Sequence, residues 1–169
     1  MLIRTEAPAD ILPIDRLLRS LPGKAQDADI VSAAREQGLI TLSLVACQDD
    51  GEIIGYALFT PLQENGHYQN WQYLALLVVH PEFVQAEKIL IEDGLNMLLE
   101  LGYPACTAYG DSELYRTFGF VPASHFDLNT SGSIEPDNLL IFELAEGVAQ
   151  QSDELIEMQN PVTLRHILN

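Results

Sequence analysis

The stretch Ala105-Cys106-Thr107-Ala108-Tyr109-Gly110-Asp111-Ser112-Glu113-Leu114-Tyr115-Arg116-Thr117-Phe118-Gly119-Phe120 decides how this 169-residue chain is read. From Pro104 to Tyr109 the residues favour a strand, which Gly110 ends. Asp111 or Ser112 supplies an N-cap for a short helix reaching Thr117. Gly119 suits a tight bend, and a further strand is expected to start over Phe118–Ala123.

Upstream, Leu74-Ala75-Leu76-Leu77-Val78-Val79-His80-Pro81-Glu82-Phe83 lies in a nearly continuous apolar run from Trp71 to Val79. Such a run suits a strand buried on both faces, and Pro81 ends it. From Ala86 the period changes. Ile89, Leu90, Leu95, Leu98 and Leu99 recur at helical spacing opposite Glu92, Asp93 and Glu100, and Gly102 stops the helix. Strand, helix and strand in this order place a parallel element near the centre of a mixed α/β domain.

The N-terminal half supplies the flanking elements. Met1–Glu6 reads as a strand, with Asp10 capping a helix over Ile11–Leu18 that Leu21-Pro22-Gly23 breaks. Asp27–Gln37 is a second helix stopped by Gly38. Thr41–Cys47 and Ile53–Leu62 are strands joined by the turn signal Asp49-Asp50-Gly51. Beyond a polar loop from Gln63 to Asn70 and the elements above, Leu139–Leu144 is a last clear strand. The domain is expected over residues 1–145. An acidic extension over 146–169 is left with three roles: docking on the domain, exchange with a partner subunit in a homodimer, or mobility.

Composition bounds the function. Forty-seven per cent of the residues are hydrophobic and 20% charged, an ordinary globular balance. Eight basic residues face 25 acidic ones, a formal charge of −17. That field repels phosphate backbones and anionic lipid, so neither nucleic acid nor a membrane surface is expected as a partner. It attracts cationic amines, although acidity is also a route to solubility. Between Glu36 and Leu164 the basic residues are Lys88 and Arg116 alone. No stretch approaches the roughly 20 apolar residues of a membrane span, and Met1–Glu6 lacks a signal-peptide layout. A cytoplasmic location is the default expectation. Cys47 and Cys106 stand in apolar stretches without metal or redox spacing and are expected as buried free thiols.

The two quoted strings resemble the fourth strand, fifth strand and following short helix of the GNAT acetyltransferases. The string Gly110-Asp111-x-x-Leu114-Tyr115-x-x-Phe118-Gly119-Phe120 is typical of one bacterial branch. The likeness spans roughly residues 1–145 and implies the GNAT acyl-CoA N-acyltransferase fold, a mixed central sheet with flanking helices. It implies acetyl-CoA as cosubstrate and a small-molecule or peptide amine as acceptor. Tyr115 would protonate the leaving thiolate, a role open to a positioned phenol. Backbone N–H groups of Leu77, Val78 and Val79 would hold the thioester carbonyl and the pantetheine arm, in the manner of an oxyanion hole. Phe118 and Phe120 are expected to fill a core.

In that family a Gln/Arg-x-x-Gly-x-Gly/Ala loop follows the fourth strand and closes its N–H groups on the cofactor's pyrophosphate. Here the segment reads Phe83-Val84-Gln85-Ala86-Glu87-Lys88-Ile89, about two residues shorter and without a glycine between Gly66 and Gly94. Gln85, Ala86 and Lys88 are the positions left to meet the pyrophosphate, while Glu87 complements a helix N-terminus. Glu64, His67 and His80 are the candidate general bases, His80 being read chiefly as the end of the strand. Two functions stay open on these residues: a working N-acetyltransferase, and a GNAT fold that has lost its CoA site and serves as a binding or regulatory module. The spacing of the two strings argues against an unrelated α/β binding domain.

Overall fold

The computed structural model describes residues 1–62, 70–110, 113–126, 128, 130 and 134–150. Its strands are β1 (Leu2–Thr5), β2 (Leu42–Cys47), β3 (Ile53–Pro61), β4 (Gln72–Val79), β5 (Ala105–Tyr109), β6 (Val121–Pro122) and β7 (Leu139–Glu143). Its helices are α1 (Ile11–Ser20), α2 (Ala25–Glu36), α3 (Ala86–Glu100) and α4 (Glu113–Thr117). The hydrogen-bonded strand order is β1-β2-β3-β4-β5-β7-β6, a mixed seven-stranded sheet with flanking helices, as expected. The described residues cluster into two compact units: those of Met1–Thr60 with Ala75–Gly94, and those of Pro61–Leu74 with those from Leu95 to Gln150.

In the first unit β1 pairs antiparallel with β2, and β2 with β3, whose register shifts between Ala46 and Cys47. Such a shift bends a strand and re-aims its groups. Beside it the Ile54 carbonyl accepts the His80 N–H at 2.8 Å, which fixes where β4 ends. Helix α1 buries Ile14, Leu17 and Leu18, spaced as one helical face requires.

Helix α3 lies close against the sheet because two glycines allow it. A Cβ on Gly55 of β3 would stand 3.2 Å from Leu90 Cδ1, 3.2 Å from Ala46 Cβ and 3.3 Å from Val79 Cγ2. On Gly94 it would stand 2.4 Å from Cζ of the buried Phe59. The buried stripe of α3 therefore runs Ala86, Leu90, Gly94, Leu98, with Ile91 and Leu95 beside it. Ile89 and Leu99, read from the sequence as part of that face, are 38% and 55% exposed instead. A four-residue stripe that passes through a glycine carries no hydrophobic mark at its tightest point, which is why the apolar periodicity misplaced the face.

Asp10 stands at the N-cap of α1 but does not cap it. Its carboxylate instead takes both Arg4 nitrogens, at 2.6 and 3.0 Å, and the Ala7 N–H at 2.7 Å. Arg4 holds the Asp10 carboxyl below the ordinary range, with help from Ala7 and against the desolvation that would raise it. A second polar group joins α2 to the sheet: Arg35 pairs with Glu6, Glu6 accepts the Ser43 hydroxyl, and Ser43 Oγ lies 2.8 Å from the buried Tyr56 hydroxyl.

In the second unit β4 and β5 are parallel, with Gln72 opposite Cys106 and Tyr73 opposite Thr107. The buried Thr107 hydroxyl donates to the Gln72 carbonyl at 2.9 Å. β7 pairs antiparallel with both β5 and β6. The strand expected over Phe118–Ala123 shortens to Val121–Pro122, because Phe118 and Gly119 are bonded into the turn that ends α4. At the C-terminal edge of the described residues Ala149 is buried, and its N–H meets Glu143 Oε2 at 3.1 Å. The rest of the acidic extension, from 151 on, lies outside the described residues. Both cysteines are free and buried, as expected.

Two predictions follow from the packing and the ion pair. A helix-interior glycine normally gains stability on replacement by alanine. Gly94→Ala is expected to reverse that sign and lose about 1–3 kcal/mol in urea unfolding, and Phe59→Leu in the same chain to recover part of it. For Asp10, a depressed folded-state pKa means stability present above the unfolded carboxyl value near about 4 and lost as pH falls through the lower folded one. Asp10→Asn is expected to cost about 1–3 kcal/mol at pH 7. The gap from the parent chain should close below about pH 4, as read by denaturation at each pH.

Candidate active site

Candidate site residues occur in each unit. In the first, the end of β4 presents alternate faces: Val78 is buried, while Leu77 and Val79 are half-buried. The apolar run is thus closed on both sides only up to Leu76, and its last turn of pleat keeps one face partly open.

After Val79 the chain turns at once into helical geometry. His80 caps a 3-10 turn over Pro81–Phe83, its Nδ1 accepting the Glu82 N–H at 3.2 Å, and its carbonyl accepts the Phe83 N–H at 2.8 Å. Val84 is right-handed helical, and its carbonyl accepts the Glu87 N–H at 3.1 Å in the first turn of α3. A glycine-free sequence of good turn and helix formers closes this way because its own carbonyls lie within reach. The N–H groups of Glu82, Phe83 and Glu87 are therefore bonded inside the chain. Of the three positions assigned to the pyrophosphate, the Ala86 side chain is fully buried, whereas those of Gln85 and Lys88 are exposed. Ala86 can meet a ligand through its backbone alone. The half-buried Glu87 sits in the first turn of α3, where a carboxylate complements the helix dipole.

In the second unit β5 leads through Gly110, at φ +120°, toward α4 and Tyr115. The Tyr115 carbonyl accepts the N–H groups of Phe118 at 3.1 Å and Phe120 at 3.2 Å. This tight closure passes through Gly119 at φ +101°, a backbone conformation side chains rarely adopt. The half-buried Tyr115 ring lies 5.6 Å from that of buried Phe120, which lies 5.4 Å from Phe142 of β7. Tilted ring pairs at these separations are attractive. Phe120 is core, as the sequence implied; Phe118 is half-buried.

Of the candidate bases, Glu64 and His67 lie outside the described residues. His80 does end the strand, and its Nδ1 is engaged by Glu82. Cys106 is not a nucleophile candidate, since burial drives its thiol pKa well up. Among the described residues no cluster of three or more metal-ligating side chains occurs, and no helix is long and apolar enough to cross a membrane.

One lining residue escaped the sequence reading. A cavity of about 520 Å3 in the first unit is walled by Arg16, Ser20, Glu52 and His80 among others. Arg16 carries no motif, and only the fold brings α1 beside the end of β4.

No protein-family model matches the chain. Escherichia coli K12 YhbS, described as an uncharacterized N-acetyltransferase, is 41% identical over 130 residues, covering 76% of this chain and 78% of YhbS. The crystal structure of the E. coli GNAT family N-acetyltransferase YhbS in complex with CoA superposes with a TM-score of 0.87 at 34% identity, covering 96% of this chain and 91% of that one. A Brucella melitensis GNAT family acetyltransferase in complex with acetyl-CoA gives a TM-score of 0.66 at 28% identity, covering 84% and 86%. With this identity over three quarters of both chains, on the sheet order and flanking helices described above, the chain belongs to the GNAT superfamily of N-acetyltransferases.

Proposed function

We propose that the chain transfers the acetyl group of acetyl-CoA directly to an amine, with Tyr115 as the acid that protonates the departing thiolate. The amine nitrogen attacks the thioester carbonyl, the C–S bond breaks, the thiolate takes the phenolic proton, and the amine proton leaves to a base or to water. Backbone N–H groups of Leu77, Val78 and Val79 receive the carbonyl oxygen and the pantetheine amides. The observation that carries this reading is the anchoring of Tyr115: its carbonyl closes the turn and its half-buried ring is tilted against that of Phe120. The partly open face at Leu77 and Val79, and relatives whose structures hold CoA and acetyl-CoA, support the same reading. The net charge of −17 favours a cationic amine as acceptor.

A second reading is favoured by one observation. The turn from His80 to Glu87 keeps three of its N–H groups for itself and places a carboxylate at the start of α3. Gln85, Lys88 and the Ala86 backbone are left to meet a pyrophosphate. On this reading the fold survives as a binding or regulatory module without CoA.

Calorimetry with acetyl-CoA separates the two. The acetyltransferase reading expects saturable micromolar binding, tightened about tenfold, or 1.4 kcal/mol, by Glu87→Gly. Binding by that variant and none by the parent chain would establish the second reading. Over a panel of primary amines, Tyr115→Phe should lower CoA thiol release by about 10²–10⁴ with acetyl-CoA affinity unchanged. Undiminished release would remove Tyr115 from the chemistry.

A further inference from the structure

The cavity between α1, the β2–β3 turn and the end of β4 has no part in the function proposed above. Arg16, Ser20, Glu52 and His80 set polar groups on its wall, over an apolar floor that includes Leu17 and Ile54. Every other basic side chain before β2 is paired: Arg4 with Asp10, Arg19 with Asp15 and Asp29, Lys24 with Asp27, and Arg35 with Glu6. Arg16 forms no ion pair among the described residues, in a chain with 25 acidic residues. Its guanidinium keeps five N–H donors in a planar fork suited to carboxylate or phosphate oxygens.

His80 adds a second donor. Because Nδ1 accepts the Glu82 N–H, the neutral ring carries its proton on Nε2. The Ser20 hydroxyl already donates to the Leu17 carbonyl at 2.8 Å and offers the cavity only lone pairs. Glu52 opposes an anion and weakens whatever the other two hold.

We infer that this cavity is a phosphate site, with Arg16 as its principal ligand and His80 as its second donor. His80 belongs at once to the cavity wall and to the turn whose Glu82, Phe83 and Glu87 N–H groups are bonded within the chain. Arg16 thus brings a cationic group to the cavity that His80 also lines, from a helix that precedes the turn by some sixty residues in sequence. The phosphate belongs either to the nucleotide end of CoA or to a separate phosphorylated small molecule. Assigning it to CoA rests on the acetyltransferase reading; the site itself does not.

Titration of the full chain with inorganic pyrophosphate, and separately with CoA, tests both. Pyrophosphate should bind saturably, about tenfold or more weaker after Arg16→Gln and tighter after Glu52→Gln. Arg16 is exposed on α1 and Gln has similar helix propensity, so the thermal midpoint of the variant should match the parent. Loss of affinity on Glu52→Gln would overturn the phosphate assignment in favour of a ligand that also carries a cation. Failure of pyrophosphate to bind, or binding indifferent to Arg16→Gln, would overturn the site, and CoA binding in the same series would leave the acetyltransferase reading standing. Parallel loss of CoA affinity with Arg16→Gln, together with competition between CoA and pyrophosphate, supports the cofactor as the bearer. Arg16-dependent pyrophosphate binding with CoA unaffected supports a separate ligand. The same dependence with no CoA binding at all supports the site and sinks the acetyltransferase reading.

Discussion

The close approach of α3 to the sheet is the constraint on which the rest depends. Gly94 over the Phe59 ring and Gly55 beneath Leu90 let the helix descend until ordinary side chains would collide. Interiors are packed to crystal-like density, so a helix seated this deeply has little freedom to slide. Its first turn must then begin directly after β4. The chain has only His80 to Gln85 in which to leave the strand and enter the helix.

The chain crosses the gap by short means, a 3-10 turn over Pro81–Phe83 and a second closure at the start of α3, each made by a carbonyl three residues back. The economy has a chemical consequence. A loop with glycines would leave successive N–H groups pointing outward for an anion; this one turns several of them inward. Fewer N–H groups are left there for a diphosphate, and Arg16, which forms no ion pair among the described residues, lines the same cavity as His80. Tyr115, by contrast, depends on a separate device, a glycine-closed turn and a run of three rings.

Much of this was legible in the sequence because the strongest signals are backbone signals. The helix pair, the Asp49–Gly51 turn, the apolar run to Val79 and the Tyr115–Phe120 string all name elements whose period or punctuation leaves few alternatives. The misses share a cause. Asp10 occupies a capping position, yet Arg4, six residues earlier, claims its carboxylate. Ile89 and Leu99 fit a helical period, yet the glycine in the stripe rotates the face away from them. Arg16 is unremarkable until α1 is folded against the end of β4. Each depends on a neighbour that only tertiary structure supplies, and no local pattern encodes it. The absent glycines were visible at once; how the N–H groups would be satisfied without them was not.

Amide hydrogen exchange resolved at single residues, with and without CoA, tests the central claim most directly. The account predicts slow exchange for Glu82, Phe83 and Glu87 in the free protein, unchanged by CoA, with new protection at Leu77, Val78, Val79 and Ala86. CoA-induced protection of Glu82, Phe83 and Glu87, from fast exchange in the free protein, would contradict it, since those amides would then be serving the ligand rather than the turn.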